Sequence, residues 1–418
     1  MSEIIEKSGR SEIRAFGISK GNELNQFVKL LTNELAHLEN NIVISSPQLI
    51  TRDLDNQFVD LNDTVEIQLP AILRAKNYTD GDEVEIQDVK KSKYRVTLDK
   101  YLDVSVAFTT GELTAALEKG ESSVIRSMTV AMRQGIDEYI ANVIKNRTSG
   151  YYGVSGTTPN TIKHLTAMER MLNVENCPNE NRVAVIDSFA KEEFLNLEEF
   201  KNMQYTGSTA GLFQSSMGSK FTLNMLTTNN VPIHEAGTYA TNGVTHTVTR
   251  GANGKLEGSL LPYTPLTITE KSTTPVDGIL KEGDIFKYED ATGKKYMGVV
   301  ALDPDESEPT STSGVITIKC VPAIPEGVVV TDTPLEFADK TTGGSVRNLV
   351  WQKSGVYACA RPLRPYRNGQ SISISSPENY PMRLSWGVDF KTKRTMLSMD
   401  MVLKGDVVRP ELVKTMLG

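Results

Sequence analysis

Four histidines, His37, His164, His234 and His246, and three cysteines, Cys177, Cys320 and Cys359, are the side chains in this sequence best suited to metal binding or nucleophilic chemistry. A structural zinc site needs thiolates and imidazoles at short repeated spacings, and a hydrolytic triad needs a nucleophile, a base and an orienting acid. Neither pattern occurs. There is no CxxC, and no histidine has a Cys, Asp or Ser at a spacing that implies a triad or a metal site. The odd, widely spaced cysteines are expected to be buried free thiols of a reducing compartment. The acid pairs Glu192-Glu193 and Glu198-Glu199 read as solvated helix faces. "DPDESEP", 303–309, has the acids of a calcium loop but lacks its glycine and distal glutamate, so a solvated loop is expected. A strand-to-helix unit at 182–197 carries no glycine-rich phosphate loop, and no nucleophile elbow occurs. The expectation is a non-catalytic protein with no cofactor and no metal.

Composition points the same way. With 418 residues the chain can form two or three domains, and 39% hydrophobic with 23% charged residues is ordinary globular composition. A net charge of −7 argues against a surface whose main task is gripping nucleic acid. The charged start, "MSEIIEKSGRSEIRAF", has no apolar signal core, and no stretch approaches the ~20 apolar residues of a membrane span. A soluble chain, made and assembled in a cytoplasm, is expected.

The elements that would position any site follow from periodicity. A loose arm precedes an amphipathic helix at 22–40, with Leu24, Phe27, Val28, Leu31, Leu35 and Leu38 on one stripe. The segment 40–58 reads as extended, Pro47 excluding a helix. Residues 109–119 begin a helix. The longest helical pattern is 121–147, whose stripe comprises Val124, Met128, Ala131, Met132, Ile136, Tyr139, Ile140, Val143 and Ile144. Gly135 within it costs about 1 kcal/mol of propensity, so packing is expected to hold the helix there. "IKHLTAMERMLN" is a shorter helix. From 236 to 344 the helical period disappears, and "THTVTR", "PLTITE", "DIFKYED", "KYMGVVAL", "GVITIKC" and "GVVVT" read as strands. Their turns recur roughly every 8–12 residues, which predicts a small sandwich or barrel. Mixed character then returns, and a closing hairpin alternates Met382, Leu384, Trp386, Val388 and Phe390 with Thr395, Leu397, Met399 and Met401 across "KTKR".

Residues 58–95 form the least ordinary pattern. Val65, Ile67 and Leu69 alternate with Thr64, Glu66 and Gln68; "TDGD" at 79–82 is a turn signal; Val84 and Ile86 alternate again; Tyr94, Val96 and Leu98 follow. A two-stranded ribbon is marginal alone in water, so it must lie on a surface of its own chain or of another. The run "KKSK" at 90–93 suits acidic groups on a neighbouring subunit better than it suits DNA.

Three stretches carry a family resemblance: "DTVEIQLPAILRAKNYTDGDEVEIQDVKKSKYRVTLDKYLDVSVAFTTGEL" (63–113), "NMLTTNNVPIHEAG" (224–237), and "NLVWQKSGVYACARPL" with "SWGVDFKTKRTMLSMDMVLKGDVVRPEL". In order and spacing the sequence resembles the major capsid (coat) proteins of tailed double-stranded-DNA phages, most of all the short-tailed-phage branch with an inserted β domain. The resemblance implies an α+β fold with N-terminal arm, extended β loop, spine helix, peripheral and axial domains, and an inserted all-β domain. It divides the chain into an arm (1–57), extended loop and peripheral strands (58–108), peripheral domain with spine helix (109–181), first axial part (182–237), inserted β domain (238–344), second axial part (345–370) and peripheral sheet return (371–418).

Functionally it implies a homo-oligomer of hexamers and pentamers in an icosahedral shell enclosing DNA. The shell would be assembled in a bacterial host with a scaffolding protein, a portal and a decoration protein, without a membrane. The extended loop would touch a neighbouring subunit through Lys76, Asp80, Asp82, Glu83, Lys90, Lys91 and Lys93. Some capsids of this kind cross-link a loop lysine to a neighbour's asparagine. Nothing marks Lys76, Lys90, Lys91, Lys93 or Lys100 as desolvated, so non-covalent closure is expected. Two other readings are kept: a nanocompartment shell of the same fold, and a ligand- or carbohydrate-binding protein that uses the 238–344 module.

Overall fold

The computed structural model describes residues 14–16, 43–53, 64–68, 93–108, 123–201, 217–256, 261–272, 275, 277–304, 306–340, 343–366, 371–375, 380–389, 391 and 394–418. The helices expected at 22–40 and from 109, and the "TDGD" turn, lie outside these residues. Strands β1 (Arg14–Phe16), β2 (Thr51–Asp53), β3 (Thr64–Gln68), β4 (Lys93–Thr97) and β5 (Lys100–Phe108) lead to helix α1 (Ser123–Asn146). Next come β6 (Tyr151–Tyr152), α2 (Ile162–Val174), β7 (Arg182–Ile186), α3 (Ser188–Asn196), α4 (Glu198–Lys201), β8 (Ser219–Lys220), β9 (Leu223–Thr227) and β10 (Ile233–Glu235). A run of strands alone follows: β11 (His246–Arg250), β12 (Gly254–Lys255), β13 (Pro262–Glu270), β14 (Ile285–Glu289), β15 (Lys295–Ala301), β16 (Val315–Val321) and β17 (Thr333–Phe337). The chain ends with β18 (Gly344–Gln352), β19 (Val356–Arg361), β20 (Ser371–Ser375), β21 (Met382–Asp389), β22 (Arg394–Val407) and β23 (Val413–Leu417). The fold is mixed α+β and dominated by sheet.

The first sheet runs β1-β20-β21-β22-β19-β2, and β5 pairs along the other edge of β22. α1 lies across it. Met128, Met132, Ile136, Ile140 and Ile144 pack on Leu384, Leu397, Met399, Met401 and Leu403, as 3.6-residue periodicity meets 2-residue alternation. Ala131, expected in that stripe, is exposed, because it lies beside the buried row rather than on it. At Gly405 β22 passes so near the helix that a Cβ would overlap Ile140 Cδ1. Gly135 is different: a Cβ there would stand 3.8 Å from Leu102 Cδ1, an ordinary contact. Packing therefore does not require glycine at 135. Gly135→Ala is expected to raise stability by about 0.5–1 kcal/mol, read from urea unfolding; a loss of stability would refute this.

Asp137, 1% exposed, fixes the segment before β2 to the helix. It accepts from Val43 N (3.1 Å), Ser45 N (3.0 Å) and Ser45 Oγ (2.7 Å). Residues 46–50, expected extended, instead turn, with Ile50 N donating to Ser46 O. Arg14–Phe16, expected within a loose arm, pair with Ser373–Ser375.

The second sheet runs β6-β23-β18-β7-β9-β8, with β10 on β18. It is covered on both sides. Val183, Val185, Leu349 and Trp351 face α1, while Ala184, Ile186, Val350 and Met416 face α2 and α3. Such a strand reads as a continuous apolar run, as "VAVI" does. Asp187 then caps α3 by accepting from Phe189 N.

The divisions expected at 345–370 and 371–418 do not follow these sheets. β19 pairs with β22 in the first sheet, and β23 pairs with β18 in the second. The reason is local: after β18 a tight turn at 353–355 sends the chain straight from one sheet into the other. Alternation within a strand cannot reveal which sheet it joins.

β11–β17 form the third sheet, ordered β11-β17-β14-β15-β16-β13, and β11 pairs back onto β13. All these pairings are antiparallel, so six strands close a barrel and leave no free edge between them. Val248, Leu266, Ile268, Phe286, Val300, Ile318, Cys320, Leu335 and Phe337 fill it. "GVVVT", 327–331, is not a strand. Gly327 takes φ +89° and Asp332 φ +50°, so the segment bends and the closing strand starts at Thr333. All three cysteines are buried. No helix among the described residues is long and apolar enough to cross a membrane.

Candidate functional site: the ribbon base and the barrel junction

β3 and β4 make an antiparallel ribbon, from Thr64 opposite Thr97 to Gln68 opposite Lys93. Among the described residues neither strand pairs with any other. Its base is fixed: Val96 and Leu98 are fully buried against Tyr357, Cys359, Leu363 and Val402, on the face of the first sheet opposite α1. Asp99 pairs with Lys404, and Lys100 Nζ lies 5.7 Å from the centre of the Tyr139 ring. Of the residues expected to touch a neighbour, Lys93 opens β4; Lys76, Asp80, Asp82, Glu83, Lys90 and Lys91 lie outside the described residues.

The same face of that sheet carries a polar cluster that sequence reading missed. Asp400, opposite Arg383 in register, accepts from Arg383 Nε (2.9 Å) and Nη2 (2.6 Å) and from Tyr101 Oη (2.5 Å). Arg383 also lies 4.3 Å from the Tyr366 ring centre and donates to Arg364 O. Burial opposes the guanidinium charge, but the hydrogen bonds to Asp400 outweigh it and hold its pKa above the ordinary value. Burial, then the Asp400 hydrogen bond, push the Tyr101 hydroxyl up. The cluster offers no unpaired acid or base for catalysis. Tyr101 and Tyr366 remain 40% and 52% exposed, which leaves amphipathic surface beside the ribbon base.

A second polar cluster sits where the barrel meets the body. His234 Nε2 lies 2.9 Å from Asp284 Oδ1, and Asp284 also accepts from Lys281 N and Gly237 N. Arg347, fully buried, donates to Asp339 Oδ2. Arg147 donates to Glu282 at 2.6 Å. Burial, then the Arg347 charge, lower the Lys145 pKa. His234 therefore does have a carboxylate partner, 50 residues away in sequence. No short-range pattern could have disclosed it, because the long barrel loop brings Asp284 back. The cluster is not a hydrolytic triad: His234, Asp284 and Ser345 are all buried, and the Ser345 hydroxyl has no hydrogen-bond partner.

Four of the barrel's aromatic rings are withdrawn from its surface. Tyr239, His246, Phe286 and Phe337 are buried against one another, with ring centres 4.9–6.4 Å apart. Two acids of "DPDESEP" are engaged as well: Lys319 bonds Asp303 and Glu306, the latter at 2.7 Å. Burial lowers the His246 pKa to about 4. The folded value lies below the unfolded one, ~6.5, so the unfolded chain binds the proton first. Barrel stability is expected to fall as pH drops from ~6.5 towards 4, and His246→Phe should flatten that dependence in thermal unfolding followed against pH. An unchanged acid profile in the variant would refute the assignment.

No family model matches this chain, and no curated protein does. Among solved structures, it is similar to the capsid of cyanophage P-SCSP1u, with 12% identity and a TM-score of 0.46 over 88% of this chain and 86% of that one. It is also similar to the capsid of Ralstonia phage GP4, with 11% identity and a TM-score of 0.45 over 99% and 95%. A virus-like particle from Pyrococcus furiosus shares 8% identity at a TM-score of 0.38 over 93% and 99%.

Proposed function

We propose that this chain is a non-catalytic shell subunit, the major capsid protein of a tailed phage, many copies of which close into an icosahedral container for DNA. The observation that carries the reading is the ribbon. Its base is buried on its own sheet, yet β3 and β4 pair only with each other among the described residues. A ribbon of two strands needs a further surface, and a second copy of the chain supplies one in a lattice. Each such contact is small; repetition around a closed shell makes the sum large. The net charge of −7 suits a container that must not bind its genome tightly.

On this reading residues 58–95 are the extended loop, and Lys76, Asp80, Asp82, Glu83, Lys90, Lys91 and Lys93 meet the neighbour. α1 is the spine helix. The barrel is an inserted domain between the two parts of an axial domain, and the first sheet is peripheral. Hexamers and pentamers, a scaffolding protein, a portal and a decoration protein complete the assembly in the host cytoplasm. Closure is non-covalent. Sedimentation velocity of the purified chain tests the reading. Megadalton species that dissociate fully on a denaturing gel are expected; a chain that stays monomeric or dimeric at every concentration and with its genomic neighbours co-expressed would oppose it.

A further inference from the structure

The barrel junction brings together three groups of the kind that hold a metal. His234, Asp284 and Asp339 each place a ligand atom within 4.8 Å of the other two, and all three are buried. They come from separate places in the chain: β10 just before the barrel, the residue entering β14, and the segment just after β17. Each carboxylate is already oriented by a second group. Asp284 Oδ2 accepts from Lys281 N at 2.7 Å, and Asp339 Oδ2 accepts from Arg347. Such outer partners are what ligating carboxylates commonly have.

A second, independent observation concerns Asp339 Oδ1. Asp339 is 2% exposed, and this oxygen accepts no hydrogen bond. A buried acceptor left without a partner is costly and calls for an explanation. Asn146 Oδ1 is also without a partner. That oxygen and the His234 ring both flank Gly283, where a Cβ would stand 2.8 Å from Asn146 Oδ1 and 3.2 Å from His234 Cε1. Arg347 offsets one of the two carboxylate charges. The Lys145 ammonium acts on Asp284 as well, and the His234 imidazole completes the donor set.

We infer that this junction is a binding site for a divalent transition-metal ion of the zinc class, held by His234, Asp284 and Asp339. One imidazole with two carboxylates is a donor set of intermediate softness, suited to Zn²⁺ or Mn²⁺ more than to Ca²⁺, which takes six or more oxygens. His234 coordinates through Nε2, and its proton moves to Nδ1. The ion joins the body strand β10 to the middle and to the end of the barrel's chain path, so it fixes the barrel's orientation.

The full-length chain, freed of metal with a chelator, is titrated with zinc chloride while metal content and thermal unfolding are followed. Retention of about one zinc per chain after gel filtration, with a rise in unfolding temperature, is expected. His234→Gln keeps a donor towards Asp284 but removes the imidazole; its zinc affinity should fall at least ~10-fold while its metal-free stability stays near that of the unaltered chain. Cobalt loading of the unaltered chain gives a reading that needs no variant, because a four-coordinate N/O site absorbs visible light far more strongly than hydrated cobalt. An unaltered chain whose stability ignores zinc and manganese would overturn the inference. So would an equal response in His234→Gln, or a cobalt spectrum like that of the hydrated ion; ordered water would then satisfy Asp339 and Asn146.

Discussion

Replacing residues 69–92 by a short turn should leave a folded chain that no longer forms shells. The base of the ribbon stays in place, because Val96 and Leu98 remain buried on Tyr357, Cys359, Leu363 and Val402. The three main cores are built from helices and sheets that the shortened chain retains. Circular dichroism and the unfolding temperature should therefore be close to those of the intact chain. What is lost is the surface one copy lends to another. Cooperative assembly amplifies that loss, since every subunit of a lattice lacks the same contact. Rapidly sedimenting material should fall from most of the protein to background. Shells of normal yield from the shortened chain would mean that the ribbon serves its own subunit.

Asp400→Ala is expected to destabilise the unassembled chain by about 3–5 kcal/mol, at the upper end of what single substitutions do. Asp400 is 2% exposed and joins β21, β22 and β5 by accepting from Arg383 twice and from Tyr101 once. Removing it leaves a guanidinium that is 9% exposed without its counter-charge. The cost is mostly that stranded charge rather than the worth of the pair. A direct check follows: the double change Arg383→Met with Asp400→Leu should recover most of the loss. Urea unfolding of both variants decides it. A single variant within about 1 kcal/mol of the unaltered chain would contradict the reading.

The parts of this fold that could be read in the sequence are those set by local periodicity. The row Met128, Met132, Ile136, Ile140 and Ile144 had to face a core, and it does. "VAVI" at 183–186 is apolar throughout because helices cover both faces of its sheet. Evenly spaced turns marked the strands of the barrel. Its closure through β11 on β13 was not legible, since pairing between distant strands leaves no local mark. For the same reason no local mark shows that β19 joins the first sheet and β23 the second. "GVVVT" has strand composition, but positive φ values at Gly327 and Asp332 take it out of the sheet. His234 seemed isolated for a similar reason: its partners Asp284 and Asp339 reach it only through the folded barrel. The ribbon was legible as a ribbon, but which surface covers it belongs to assembly rather than to one chain.

Cryo-electron microscopy of particles from cells expressing the chain with its genomic neighbours would show whether copies of the chain share the ribbon. Closed icosahedral shells of hexamers and pentamers are expected, with density for residues 58–95 lying across an adjacent subunit. Particles whose ribbon folds back on its own subunit, or no particles at all from a soluble, well-folded chain, would contradict the shell reading.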